Sequence, residues 1–191
     1  MEQVNRIIEE LSGDSKDIAF RRALEETARH HLMSVLNHQD YDTITAWYTP
    51  DVTMVTGLDT TLDGEILKGH DEIINHFDNF QYENSILLVP ILTISDRGRI
   101  TVYTETFYQW LAKPEDEAKN ARDEQPFVGW PCVSYHDVVK SREVVVFDLN
   151  EEMKVRRIEW RQLGVENLGK GSLDAYAKQS EELREMIEGD I

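Results

Sequence analysis

Apolar and polar residues alternate along this chain in two rhythms. From about Asp17 to Asn37, Leu24, Ala28, His31, Leu32, Val35 and Leu36 fall on one helical stripe, which predicts a helix lying on a sheet. A shorter stripe of Val4, Ile7, Ile8 and Leu11 predicts a separate helix at the start, broken by Ser12-Gly13-Asp14-Ser15. A short helix over Thr43–Tyr48 should stop before Pro50, because proline disfavours helical geometry in the residue before it. Val52, Met54 and Thr56 then keep a strand's period, and a short strand is expected around Glu65–Lys68. Gly69 and Asp71 open a helix carrying Ile73, Ile74 and Phe77.

Beyond Phe80 the rhythm is that of strands. Ile86–Ile94 is almost wholly apolar, with Pro90 predicting a bulge or an edge. Asp96-Arg97-Gly98 is the hairpin turn into Ile100–Leu111, which is rich in β-branched and aromatic residues. Residues 112–126 form a charged insertion, expected to be exposed because it has no apolar face to bury. A long strand follows within Ser134–Leu149, and a last one spans Lys154–Leu163. Gly164, Gly169 and Gly171 read as a flexible exit. Leu173, Tyr176, Ser180, Leu183 and Ile187 then predict a C-terminal amphipathic helix that could cap the pocket, meet a second subunit or trail.

The predicted organisation is a helical extension over 1–16, one α+β domain over 17–164, and the C-terminal helix over 165–191. A net charge of −17 argues against nucleic-acid partners and anionic membranes, since phosphate binding needs a basic surface. The surplus of acid either keeps the protein soluble or offers a docking face to a basic partner. No apolar run is long enough to span a membrane, and the first residues are acidic where a secretory signal would be basic. Cys132 is the single cysteine, so no intrachain disulfide can form and a cytoplasmic location is the simplest expectation.

The order of elements from Trp47 to Phe77, with a long helix before and long strands after, resembles the nuclear-transport-factor-two-like superfamily. Within it the resemblance is to SnoaL-like polyketide cyclases and ketosteroid isomerases, over roughly Phe20 to Leu163. It implies a strongly curved, mainly antiparallel sheet wrapped around N-terminal helices as a cone-shaped pocket. It also implies a two-fold homodimer formed through the convex sheet face, and a small-molecule substrate of the kind met in secondary metabolism.

Laid on ketosteroid isomerases and limonene epoxide hydrolases, the last strand turns Ile158, Trp160 and Gln162 inward, and Arg157, Glu159 and Arg161 outward. The same procedure sends Tyr135, Asp137, Val145, Phe147 and Leu149 inward, with Thr104, Thr106, Tyr108 and Trp110 from the neighbouring strand. Met54 and Thr56 complete the wall. Three known catalytic sets are missing. The isomerase positions fall on Thr56, Leu32 and Val145, and those of the epoxide hydrolases on Thr106, Thr104 and Gln162. Scytalone dehydratase-like enzymes need two strand histidines, whereas only His136 lies on a strand here, facing outward.

What remains for chemistry is Asp137 and Tyr108, with His31 from the long helix. A carboxylate in a dry aromatic pocket has its pKa raised, which suits proton transfer near neutrality, and a tyrosine can hold a substrate oxygen. Each also has a plain reading: Asp137 as a hydrogen-bonded strand residue at a bulge, Tyr108 as core packing, His31 as a core histidine. A slip of one residue would instead turn Tyr103, Glu105, His136 and Glu159 inward. His70 and His76 do not have metal-ligand spacing, and no glycine-rich phosphate loop is present, so neither metal nor cofactor is expected. Two functions follow. One is a cofactor-independent cyclase, isomerase or dehydratase acting on an apolar carbonyl- or hydroxyl-bearing metabolite. The other is a non-catalytic module that binds a ligand or dimerises.

Overall fold

A computed structural model describes residues 2–58, 64–96, 98–110, 134 and 136–189. Among the described residues the architecture is α+β, with four helices and one open six-stranded sheet. In chain order the elements are α1 (Glu2–His38), α2 (Asp42–Trp47), β1 (Tyr48–Leu58), β2 (Ile66–Lys68) and α3 (Gly69–Glu83). They continue with β3 (Asn84–Asp96), β4 (Arg99–Trp110), β5 (Asp137–Leu149), β6 (Val155–Lys170) and α4 (Leu173–Gly189). Strand order is β2-β1-β6-β5-β4-β3, antiparallel throughout except for the parallel pair β1–β6.

The inner face of the sheet is the core. Leu32, Val35 and Leu36 of α1, Ile73 and Phe77 of α3, and Val52, Met54, Val102, Phe147 and Ile158 of the strands form one buried cluster. α3 begins at Gly69, whose φ of 75° is a conformation that costs glycine little. The backbone N–H of Lys68 just before it donates to Glu72 at 2.7 Å, so one open donor of the helix start is met from within the helix. Gly98, φ 82°, turns β3 into β4.

Three expectations are corrected. α1 runs unbroken through Ser12-Gly13-Asp14-Ser15. A single glycine costs a helix only about 1 kcal/mol, which an already nucleated and packed helix can absorb. The glycines after Leu163 are no flexible exit, since Gly164 and Gly169 lie inside β6, paired with Arg142 and Val138. Both flank a shift in register, so here glycine marks bulges rather than the strand's end. On α4, Leu183 is exposed, while Tyr176, Ala177 and Ser180 pack inward and Arg184 is partly buried. Pro90 sits both in an edge strand and at a register shift.

α4 docks on the outer face of β3 and β4, where Ala177 joins Val89, Phe107 and Val138. Ser180 hydrogen-bonds Glu105, which also pairs with Lys140 at 2.7 Å. Residues 112–126, Cys132 and Tyr135 lie outside the described residues. Among the described residues no helix is long and apolar enough to cross a membrane.

Candidate functional site

At the middle of the inner face lies a buried carboxylate, Glu143, only 4% exposed. Strand pairing places it. Glu143 faces Thr104 on β4 and Gln162 on β6, and alternation puts Thr106, Tyr108 and Trp160 on the same side. The Tyr108 hydroxyl donates to Oε1 at 2.7 Å. Thr106 Oγ1 and Trp160 Nε1 donate to Oε2 at 2.9 and 3.0 Å. Ser141 is a further hydrogen-bond partner and accepts a 2.7 Å bond from Gln162 Nε2. Aromatic rings close the flanks, Phe77 edge-on to Trp160 and Phe80 edge-on to Tyr108.

Burial raises the Glu143 pKa, because a charged carboxylate loses its water; the bonds from Tyr108, Ser141, Thr106 and Trp160 pull it part of the way back. The Tyr108 hydroxyl is pushed well up by burial and then by the adjacent carboxylate, so it remains a proton donor. Thr104 Oγ1, opposite Glu143, is buried without a hydrogen-bond partner.

The predicted residues divide accordingly. Tyr108, Thr106, Trp160 and Gln162 meet around Glu143, while Met54, Thr56, Phe147 and Ile158 form the inner wall beyond it. Trp110 ends β4, and Tyr135 lies outside the described residues. Asp137 is not joined to Tyr108. Its Oδ2 accepts from the Ser134 backbone N–H at 3.0 Å and Asn167 Nδ2 at 3.1 Å, tying the start of β5 to β6. The alternative set lies elsewhere: Tyr103 and His136 are exposed, Glu105 faces α4, and Glu159 pairs with Arg157 and Arg161. Glu143 was the residue the sequence reading passed over. It shares the parity of Asp137 and Val145, so the alternation that turned those inward carried it too.

His31 occupies a second centre. It is 5% exposed, its Nε2 lies 2.6 Å from the Tyr48 hydroxyl, and Trp47 and Phe147 pack edgewise on its ring. Burial lowers its pKa to about 3 and raises that of Tyr48, so both are neutral. His31 Nδ1 has no hydrogen-bond partner, which costs on the order of 1–3 kcal/mol. Among the described residues no group of three or more histidines, cysteines or acids could hold a metal.

No family profile and no curated protein sequence matches this chain. Solved structures do. The epoxide hydrolase/cyclase-like enzyme SalBIII, which acts in pyran ring formation in the polyether salinomycin, is similar at 15% identity and TM-score 0.51, over 74% of this chain and 91% of that one. A SnoaL-like polyketide cyclase from a Jannaschia species is similar at 12% identity and TM-score 0.51, over 73% and 88%. A ketosteroid isomerase-type protein from Kribbella flavida matches at 13% identity and TM-score 0.50, over 81% and 87%. The chain therefore has the SnoaL-like, nuclear-transport-factor-two-like fold, with α4 added at its C-terminus.

Proposed function

We propose that this chain, built on the SnoaL-like fold, is a cofactor-independent acid–base enzyme of cyclase, isomerase or dehydratase type. Its substrate is a mostly apolar metabolite bearing a carbonyl or hydroxyl, held in the cone between the sheet and α3. The observation that carries this is a buried carboxylate with a raised pKa, hydrogen-bonded to a tyrosine on the neighbouring strand. Glu143 takes a proton from carbon beside the substrate carbonyl, and the electron pair moves onto the carbonyl oxygen. Once protonated, Glu143 accepts hydrogen bonds less strongly, which frees the Tyr108 hydroxyl to turn to that oxygen. Return of the proton from Glu143 to another carbon completes an isomerisation; its delivery to a β-hydroxyl, which leaves as water as the electron pair returns from the oxygen, completes a dehydration. Asp137 and His31 hold structure beside this site.

The second reading is a ligand-binding module. It is favoured by the same cluster, because Tyr108, Thr106, Trp160 and Ser141 leave Glu143 few lone pairs for a substrate. Deuterium uptake into a panel of cyclic enones in D2O, followed by mass spectrometry, separates the two. Catalysed exchange that Glu143→Gln abolishes supports the enzyme; exchange at the buffer rate with every enone leaves the binding module.

A two-fold homodimer in the cytoplasm completes the proposal. α4 covers the β3–β4 part of the outer face, so pairing would use the β6 part, where Arg157, Glu159 and Arg161 form a charged ladder. A monomer mass by light scattering at micromolar concentration would contradict it.

A further inference from the structure

A cleft of about 420 Å³ lies between α1 and the two hairpin turns at one end of the sheet, β3–β4 and β5–β6. Its volume lies in the range of small-molecule sites. The two turns are joined, since the Leu149 backbone N–H donates to the Gly98 carbonyl at 2.7 Å. Ile100 and Leu149 are the buried part of the lining, whereas Phe20 and Met153 border the cleft while 48% and 37% exposed. Met153 is fixed there by its backbone. Its φ is 60°, a conformation uncommon for any residue but glycine. Its N–H donates to the Asn150 carbonyl, and its own carbonyl accepts from Trp47 Nε1. A half-exposed phenyl ring and thioether beside buried aliphatic side chains suit the apolar body of a ligand.

Most polar groups of the cleft are already matched. Arg21 pairs with Asp17 at 2.9 Å, and Arg99 with Asp148 at 2.7 Å. The Ser95 N–H and hydroxyl both donate to Glu25, and Asn150 Oδ1 accepts from the N–H groups of Glu152 and Lys154. Asp96 and Glu151 differ. Both are exposed lining residues, one at each turn, and neither has a hydrogen bond or ion pair among the described residues. With Glu25 and Asp148 counted, five carboxylates surround the two guanidinium groups, in a chain of net charge −17. That balance favours a cation over an anion. We infer that this cleft, separate from the cone, is a binding site for an organic monocation with an apolar body. The ammonium group meets the Asp96 and Glu151 carboxylates, and the body lies against Phe20 and Met153.

The probe is benzylamine, compared with benzyl alcohol, which has the same shape without the charge, and phenylacetate, which reverses it. Each is titrated into the full chain labelled with ¹³C-methyl methionine, the Met153 resonance being identified by its loss in Met153→Leu. Benzylamine should shift the Met153 methyl saturably through the ring current of its phenyl group. Benzyl alcohol should bind about tenfold more weakly, the worth of one hydrogen bond to a charged group, and phenylacetate more weakly still. Asp96→Asn combined with Glu151→Gln, both at exposed positions, should bring benzylamine down to the affinity of benzyl alcohol. Phe20→Ser, at an exposed helix position, should weaken both probes alike. Glu143→Gln should leave binding unchanged, so loss of exchange chemistry in the cone and loss of this site are read separately. The inference is overturned if benzylamine gives no saturable Met153 shift, if benzyl alcohol or phenylacetate binds equally well, or if the double variant binds benzylamine as the parent does.

Discussion

Glu143 and His31 are buried to nearly the same degree, yet they are opposite in kind. Glu143 is surrounded by donors from β4, β5 and β6, while His31 has one partner and an idle N–H. The difference follows from their platforms. Paired strands bring side chains from three segments to one point at fixed spacing, so a carboxylate there can be served from several sides. A helical residue at the margin of its buried stripe has the sheet on one side and a cleft on the other, and only the sheet side supplies a partner. Completeness makes Glu143 a place where charge can be held.

The largest effect that would break this contrast is catalytic. Glu143→Gln keeps the shape and can still accept from Thr106 and Trp160, so it should fold while proton exchange falls by about 10²–10⁴-fold. An unchanged rate in mass-spectrometric exchange would show the cluster to be structural only.

Next comes acid stability, where the two centres pull in opposite directions. His31 has a folded pKa of about 3, below its ordinary 6.5, so the unfolded chain binds more protons between those values. Stability from His31 is complete above pH 6.5 and is lost as pH falls, on the order of 5 kcal/mol by pH 3. Glu143 is raised, so its contribution is present in acid and is lost as pH rises through its folded pKa. His31→Gln should flatten the acid limb of a urea-denaturation profile between pH 3 and 6.5. A limb as steep as in the parent would assign the acid sensitivity elsewhere.

Tyr108→Phe should cost less, about 1–3 kcal/mol, by leaving Glu143 Oε1 short of its donor. It should also move the Glu143 pKa further up, since the bond from Tyr108 lowers it. Infrared titration of the carboxylate band would read that direction, and a fall would contradict the pairing.

The smallest change should have the reverse sign. Thr104 Oγ1 is buried and unpartnered, so Thr104→Val should raise stability by up to about 1 kcal/mol in thermal unfolding. A loss of stability would mean that the hydroxyl has a partner after all, such as a buried water.

Much of the fold was legible in the sequence. The stripe from Leu24 to Leu36 and the alternation of Ile100–Trp110 follow from the two periods of the backbone and need no knowledge of what they pack against. Pro90 and Gly98 were readable because each restricts or frees the backbone locally. Other features were not. Ser12-Gly13-Asp14-Ser15 reads as a break only while its local cost is set against nothing, and Gly164 reads as an exit until β5 is known to lie beside it.

By itself the sequence determined the element types, the alternation of faces along each strand, and the excess of negative charge. Each of these is local or additive along the chain. Only the tertiary structure decided that Tyr108 donates to Glu143 rather than meeting Asp137, and that His31 pairs with Tyr48 and leaves Nδ1 idle. It also decided that α4 covers β3 and β4. Those outcomes depend on strand order and register. A carboxylate six positions along β5 faces different residues across the sheet, and periodicity carries no information about which strand stands next to which.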